Sequence, residues 1–310
     1  MKVDFVIDVV DLSKSYGSVS ALSDVSFGVF RGDFFGVLGP NGAGKTTLIK
    51  ILTTLALPSS GSVKLFGKDV VFYDDFVRNR IGVVFQENVF DEDLSGWENL
   101  FVQGKLYGLS NSLIESRVFK LVKDFDIVNR LHFPVRTYSG GMLRQLELVR
   151  GLLSDPEILF LDEPTTGLDP NARRMIWDLL LVLKKKGVTI VMTTHYMEEA
   201  DFLCDRVAIV DRGAIVALDS VIALKDSLAN RVLKVSHSNP DLFSSFLKKK
   251  KVEFDVVKGV FLVNVSDIVL VNEIIGSSVL KKGLLDFSFH RPTLDDVFIH
   301  FVGRNLNENI

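Results

Sequence analysis

The sequence predicts an α/β fold built on a parallel sheet, followed by a small α+β module. Three observations carry this. Short apolar runs without alternation, such as Ile158–Leu161 in "EILFLDEP" and the run "VTIVMTTH", read as strands buried on both faces. Amphipathic helical stretches separate such runs up to about Asp219. Beyond Asp219 the order becomes strand, helix, strand, strand, helix, strand, which is the split βαβ pattern of a ferredoxin-like module.

Taken in order, "MKVDFVIDVVDLSKSYG" carries acids inside its apolar run and reads as a strand rather than a signal peptide. "FFGVLGPNGAGKTTLIKILTTL" is strand, glycine loop and helix. "IGVVFQ" is a further strand, with Gln86 at its end. Strand signals then fade, and helical periodicity predicts a helical subdomain over about 88–155, inserted in the α/β core. After the boundary near Leu218–Leu224, "RVLKVSH", "VEFDVVKG", "VFLVNVS" and "LLDFSF" are expected strands. "NPDLFSSFLKKKK" and "VNEIIGSSVLKKG" are expected helices between them, and "TLDDVFIHFVG" is a last helix. The expected domains are therefore 1–219 and 220–310.

Composition narrows the classes. A chain of 310 residues, 47% hydrophobic, can bury one large core or two modest ones. A net charge of -3 implies no general affinity for nucleic acid. The clusters Lys184–Lys186 and Lys248–Lys251 close helical stretches and read as solvated helix C-termini. One cysteine, Cys204, excludes an internal disulfide and reads as a small buried residue in a helix. No run approaches the ~18 uncharged apolar residues of a membrane helix, so no membrane insertion is expected. The mean hydropathy of +0.27 is high, and buried strands and a partner surface both account for it.

The chemistry concentrates in a few places. Gly39-Pro40-Asn41-Gly42-Ala43-Gly44-Lys45-Thr46 fits G-x-x-x-x-G-K-[ST] between a strand and a helix. Its glycines let successive amides face phosphate oxygens, Lys45 adds positive charge, and Thr46 offers a hydroxyl to Mg²⁺. Asp162 and Glu163 end a buried strand, at the edge where open parallel sheets bind ligands. Asp162 is placed to hold Mg²⁺ through water, and Glu163 to accept a proton from an attacking water. His195 ends another apolar strand and is placed to donate to a terminal phosphate. For Gln86, contact with metal or water and an ordinary strand-end amide are both open. For Tyr16, stacking on a base and packing at a strand end are both open. Ser139-Gly140-Gly141 forms a second anion-binding turn at a helix start, with no lysine beside it.

Together these residues resemble the nucleotide-binding subunits of ABC transporters, over about Val3 to Asp219. The matching pieces are Tyr16 as A-loop, Gly39–Thr47 as Walker A, Gln86 as Q-loop and "YSGGM" as signature. Walker B "ILFLDEP", a D-loop ending in Asp169 and His195 as H-loop complete the order. The commoner signature is L-S-G-G-Q, so Tyr138 and Met142 are departures that remove a glutamine side chain from the site. "RPTLDDVFIHFVG" is similar to the C-terminal segment of drug-exporter ATPases of the daunorubicin-resistance type.

The resemblance implies an ATPase whose two copies pair head to tail around ATP and Mg²⁺. It implies that Gly39–Thr47 hold phosphates and metal, Thr47 included, and that Tyr16 meets adenine. Gln86 then senses the terminal phosphate and metal, and Asp162 supports the metal. Glu163 is the main base, His195 the phosphate contact and Asp169 a link across the dimer. Ser139, Gly140 and Gly141 serve the partner's nucleotide, with charge supplied by the partner's Lys45. The implied setting is the cytoplasmic face of a membrane, with a permease on a separate chain and export of drug-like or lipophilic compounds. A soluble ABC ATPase without a transport role is the alternative reading.

Overall fold

The computed structural model describes residues 5–303 apart from 87, 88, 124, 126, 229, 230, 258, 266, 267 and 291. Residues 1–4 of the expected N-terminal strand and residues 304–310 of the expected second domain lie outside these. The chain divides into two compact units, one reaching Ser220 and the other beginning at Val221.

The first unit opens with β1 (Phe5–Tyr16), β2 (Val19–Phe30), β3 (Phe34–Leu38), α1 (Lys45–Leu52), β4 (Ser60–Leu65), β5 (Lys68–Asp69), α2 (Asp74–Arg78) and β6 (Ile81–Val84). Helices α3 (Gly96–Leu106), α4 (Asn111–Val122) and α5 (Gly140–Leu152) follow, with short 3-10 turns at Val128–Arg130 and Val135–Thr137. The unit closes with β7 (Ile158–Asp162), α6 (Pro170–Lys185), β8 (Thr189–Thr194), α7 (Met197–Leu203), β9 (Arg206–Asp211) and β10 (Ala214–Ser220). Cys204 is buried just past the end of α7 rather than within a helix, because the backbone turns extended there.

One sheet has the order β10-β9-β3-β8-β7-β6, parallel except for the β9–β10 pair. Every residue of β3, β7 and β8 is buried. A strand covered on both faces has no polar side to present, hence the continuous apolar runs. Leu38 lies opposite Thr194, and Asp162 opposite Thr193, so the three strands end level. Gly39, Glu163 and His195 therefore leave the sheet along one edge.

A second, antiparallel sheet has the order β2-β1-β4-β5, where the sequence reading expected only parallel strands. Its strands are curled by register shifts, and Asp11 sits at φ 48 within the shift between Val9 and Leu12. One core joins the two sheets: Val9, Leu12, Val25 and Leu65 share it with Ile49 of α1 and with Phe35, Phe160 and Val191. Phe27 stacks on Phe35 with ring centroids 5.2 Å apart.

The second unit holds α8 (Val221–Ser227), β11 (Arg231–His237), α9 (Pro240–Lys249), β12 (Phe254–Val257), β13 (Val260–Val265), α10 (Ile268–Gly276), α11 (Ser278–Gly283), β14 (Leu284–His290) and α12 (Leu294–Val302). Its sheet is antiparallel, in the order β12-β13-β11-β14. It has its own core, including Leu233, Val235, Phe243, Phe261, Val263 and Ile274. The single helix expected over "VNEIIGSSVLKKG" is two helices. Ser277 interrupts it: its hydroxyl donates to Ile274 O (2.7 Å) and accepts from Leu280 N (3.2 Å), capping α11. Among the described residues, no helix is long and apolar enough to cross a membrane.

Candidate active site

The loop from Gly39 to Gly44 joins β3 to α1. Gly44 is the N-cap of α1 at φ 102, and a Cβ on it would lie 2.4 Å from Ala21 O, so only glycine fits. The helix start carries no side-chain cap, which leaves its first amides and its positive dipole end for an anion. Around this loop lies a cavity of about 510 Å³. Val19, Ser20 and Ala21 of β2 line it, with Asn41, Gly42, Gly44, Lys45, Thr46, Thr47, Gln86, Glu163, Thr166 and His195. Gly39, Pro40 and Ala43 complete the loop from behind: Gly39 N donates to Thr194 O (3.3 Å) and Ala43 N to Pro40 O (3.2 Å).

Lys45 is nearly buried. Its Nζ donates to Gly39 O (2.8 Å) and Pro40 O (3.1 Å) and lies 3.1 Å from Glu163 Oε1. Glu163 sits at φ 47, with its amide donating to Thr193 Oγ1 (3.0 Å). Its Oε2 meets His195 Nδ1 (3.1 Å) and accepts from Thr166 Oγ1 (3.1 Å). Burial pushes the Glu163 carboxyl up, but the His195 hydrogen bond and the Lys45 charge outweigh it and hold the pKa down to about 2. Asp162 is buried behind this group, accepts from Thr193 Oγ1 and does not line the cavity.

Gln86 is exposed on the cavity wall, two residues past the end of β6. Tyr16 is half exposed beside the cavity rather than in its lining: it pairs with Val19 across the β1–β2 turn, and Lys14 Nζ lies 4.8 Å from its ring centroid. The donors facing or backing the cavity, Thr46, Gln86, Asp162 and Glu163, are oxygen ligands suited to a hard divalent cation. Among the described residues, no group of three or more His, Cys, Asp or Glu could hold a metal ion.

Ser139, Gly140, Gly141 and Asp169 lie elsewhere. They line a second cavity of about 410 Å³ with Met142, Gln145, Gly167, Leu168, Asn171, Ala172 and Met175. Among the described residues it shares none with the first. Two helix N-termini converge there. Ser139 caps α5 by accepting from Met142 N (3.3 Å), and Asp169 caps α6 by accepting from Asn171 N (2.9 Å) and Ala172 N (3.0 Å).

Sequence reasoning missed four residues. Thr166 and Thr193 hold Glu163 and Asp162 in place. Glu199 of α7 is fully buried, accepting from Thr165 Oγ1 (2.8 Å) and Trp177 Nε1 (3.0 Å), while among the described residues its Oε2 meets no hydrogen-bond partner. Arg144 of α5 is buried among backbone carbonyls. In a lone sequence, threonines in a strand or turn and charges in a helix carry no signal for such roles.

Comparison with known proteins agrees with this geometry. The model of the ABC transporter family matches residues 22–166. The chain is 39% identical over 305 residues to a daunorubicin resistance ATP-binding protein of Streptomyces coeruleorubidus, covering 97% of this chain and 96% of that protein. A Nod factor export ATP-binding protein of Sinorhizobium fredii is 36% identical over 308 residues, covering 99% and 89%. Among solved structures, an ATP-binding subunit of an ABC transporter superposes with a TM-score of 0.65 at 30% identity, over 72% of this chain and 92% of that one. A dimeric ATP-binding cassette bound to ADP and Pi superposes with a TM-score of 0.63 at 25% identity, over 69% and 98%. By its cavity, its strand-end acids and these relatives, the chain belongs to the ATP-binding subunits of ABC transporters, in the branch that includes the daunorubicin-resistance proteins.

Proposed function

We propose that this chain hydrolyses ATP as the paired motor subunit of an exporter of drug-like or lipophilic compounds, working on a permease carried by another chain at the cytoplasmic face of a membrane. The observation that carries the paired reading is the separation of the two cavities. The loop of Gly39–Thr47 and the turn of Ser139–Gly141 both suit phosphate, yet among the described residues their cavities share no lining residue. Two chains set head to tail bring the turn of one to the loop of the other. The names of the relatives, drug resistance and Nod factor export, support the exporter reading.

In this reading the amides at the start of α1 and Lys45 bind the phosphates, and Tyr16 packs on the adenine beside Val19. Thr46, Gln86 and Asp162 would hold Mg²⁺, which would supply positive charge to neutralise the phosphates. A carboxylate held at about 2 is a weak base. Phosphate draws Lys45 off Glu163, and the freed carboxylate then accepts the proton of the attacking water. His195 donates to the terminal phosphate, and Asp169 reaches across the dimer. The second unit reads as a ferredoxin-like accessory module, supported by its strand order and separate core.

Ser139→Arg tests the pairing. A bulky cation at the start of α5 should leave ATP binding by the monomer within about twofold and abolish ATP-dependent dimerisation and hydrolysis. Loss of monomer ATP binding in step with hydrolysis would mean that the turn acts within its own chain.

A further inference from the structure

Arg144 lies on α5, five residues beyond Ser139, and is 7% exposed. Its Nε donates to Pro164 O (2.5 Å), its Nη1 to Phe85 O (2.7 Å) and to the Glu147 carboxylate, and its Nη2 to Asp162 O (3.3 Å). Phe85 immediately precedes Gln86, and Asp162 and Pro164 flank Glu163 on either side. One planar guanidinium thus grips both cavity segments from behind. The helix that carries it begins at the other cavity.

Stability alone is a poor reason for this arrangement. Burying an ion pair costs desolvation of both groups, and a well-packed apolar pair often serves stability as well or better. What an apolar pair lacks is the rigid fork of donors that ties three carbonyls to one helix. We infer that Arg144 is a positioning residue that joins the Gln86 and Glu163 segments to the Ser139–Gly141 turn, so that nucleotide in one cavity changes the readiness of the turn to serve the opposite one. This rests on the paired ATPase reading above. Glu147 keeps the guanidinium neutralised. The three carbonyl contacts carry the coupling, because they move with the loops that meet nucleotide.

The test is amide hydrogen exchange on the full chain, kept dilute enough to remain monomeric, with and without ATP. In the wild type, ATP should slow exchange at the 41–47 loop. It should also slow exchange over residues 139–145 by about tenfold, within the usual size of coupling between sites. Arg144→Lys keeps the charge opposite Glu147 and loses the fork. It should retain protection of the loop while the ATP-dependent change over 139–145 falls below about twofold. A merely structural arginine would raise exchange at 139–145 equally with and without ATP, leaving the ATP-dependent change intact, and that result overturns the inference. So does a wild type in which ATP protects the loop and leaves 139–145 unchanged. The double variant Arg144→Met/Glu147→Met removes both charges and should fold yet show the same uncoupling; restored coupling there would also overturn it. Because exchange reads binding and not turnover, absence of hydrolysis in the wild type would sink the ATPase reading separately.

Discussion

Lys45 Nζ lies 3.1 Å from Glu163 Oε1, with side chains only 4% and 11% exposed. The proposed phosphate-binding cation and the candidate base thus neutralise each other. Glu163→Gln keeps a neutral acceptor for Lys45 but frees its charge for phosphate. ATP affinity should rise several-fold, and hydrolysis should fall on the order of 10²-fold or more. Calorimetric titration and phosphate release check the two halves, and wild-type turnover in the variant would remove Glu163 from its role.

The same residue sets an acid limb. Its pKa falls from the ordinary 4.5 to about 2 on folding. A depressed carboxylate contributes stability that is fully present above about pH 4.5 and is lost as pH falls toward 2. Thermal melts across that window should therefore be less pH-dependent in Glu163→Gln than in the wild type.

Glu199 predicts the opposite slope. Burial pushes its carboxyl up, against the pull of the nearby Thr194, Thr165 and Trp177 donors. A raised carboxyl favours the neutral form in the fold, so stability falls as pH rises from the ordinary 4.5 toward the raised value. Glu199→Gln mimics the neutral acid. Its melting temperature relative to wild type should improve with rising pH, whereas Glu199→Ala should cost about 2–4 kcal/mol by leaving Thr165 and Trp177 unpaired.

Gly44 and Gly17 both have positive φ, at 102 and 58, yet their surroundings differ. A Cβ on Gly17 meets nothing within 4 Å, whereas one on Gly44 meets Ala21 O. Gly17→Ala should cost about 1 kcal/mol and leave ATP binding unchanged. Gly44→Ala should displace the start of α1 and abolish ATP binding, as a fluorescent-nucleotide titration would show.

A chain ended at Ser220 removes a unit with its own core. It should still bind ATP with affinity within about threefold of the full chain, since the lining of the Lys45 cavity ends at His195. If the second unit contributes to pairing, ATP-dependent dimerisation of the shortened chain weakens, which light scattering measures.

The candidate site was legible where chemistry and local pattern coincide. The loop at Gly39–Thr46 announces itself through residues seven apart at most, and the acids at the end of β7 and the histidine after β8 follow apolar runs. The antiparallel sheet was not legible, because β1 pairs with β4 some fifty residues away and its burial follows a curl that blurs alternation. The break at Ser277 was hidden by an apolar pattern that continues across it. Arg144 was invisible for a simpler reason. An arginine inside an amphipathic helix reads as solvent-facing until tertiary contacts bury it.

The separation of the two cavities, whose described linings share no residue, has a consequence for mixed populations. Under head-to-tail pairing, each site draws one half from each copy. If half the chains carried a defective signature turn, roughly a quarter of the pairs would keep both sites whole and roughly half would keep one. Defects in the Lys45 loop would dilute activity by the same arithmetic. A loop-defective chain mixed with a turn-defective one would behave differently: their mixed pair confines both faults to one site and restores the other. Two inactive proteins would then complement each other on mixing, which neither could do if one chain held a complete site.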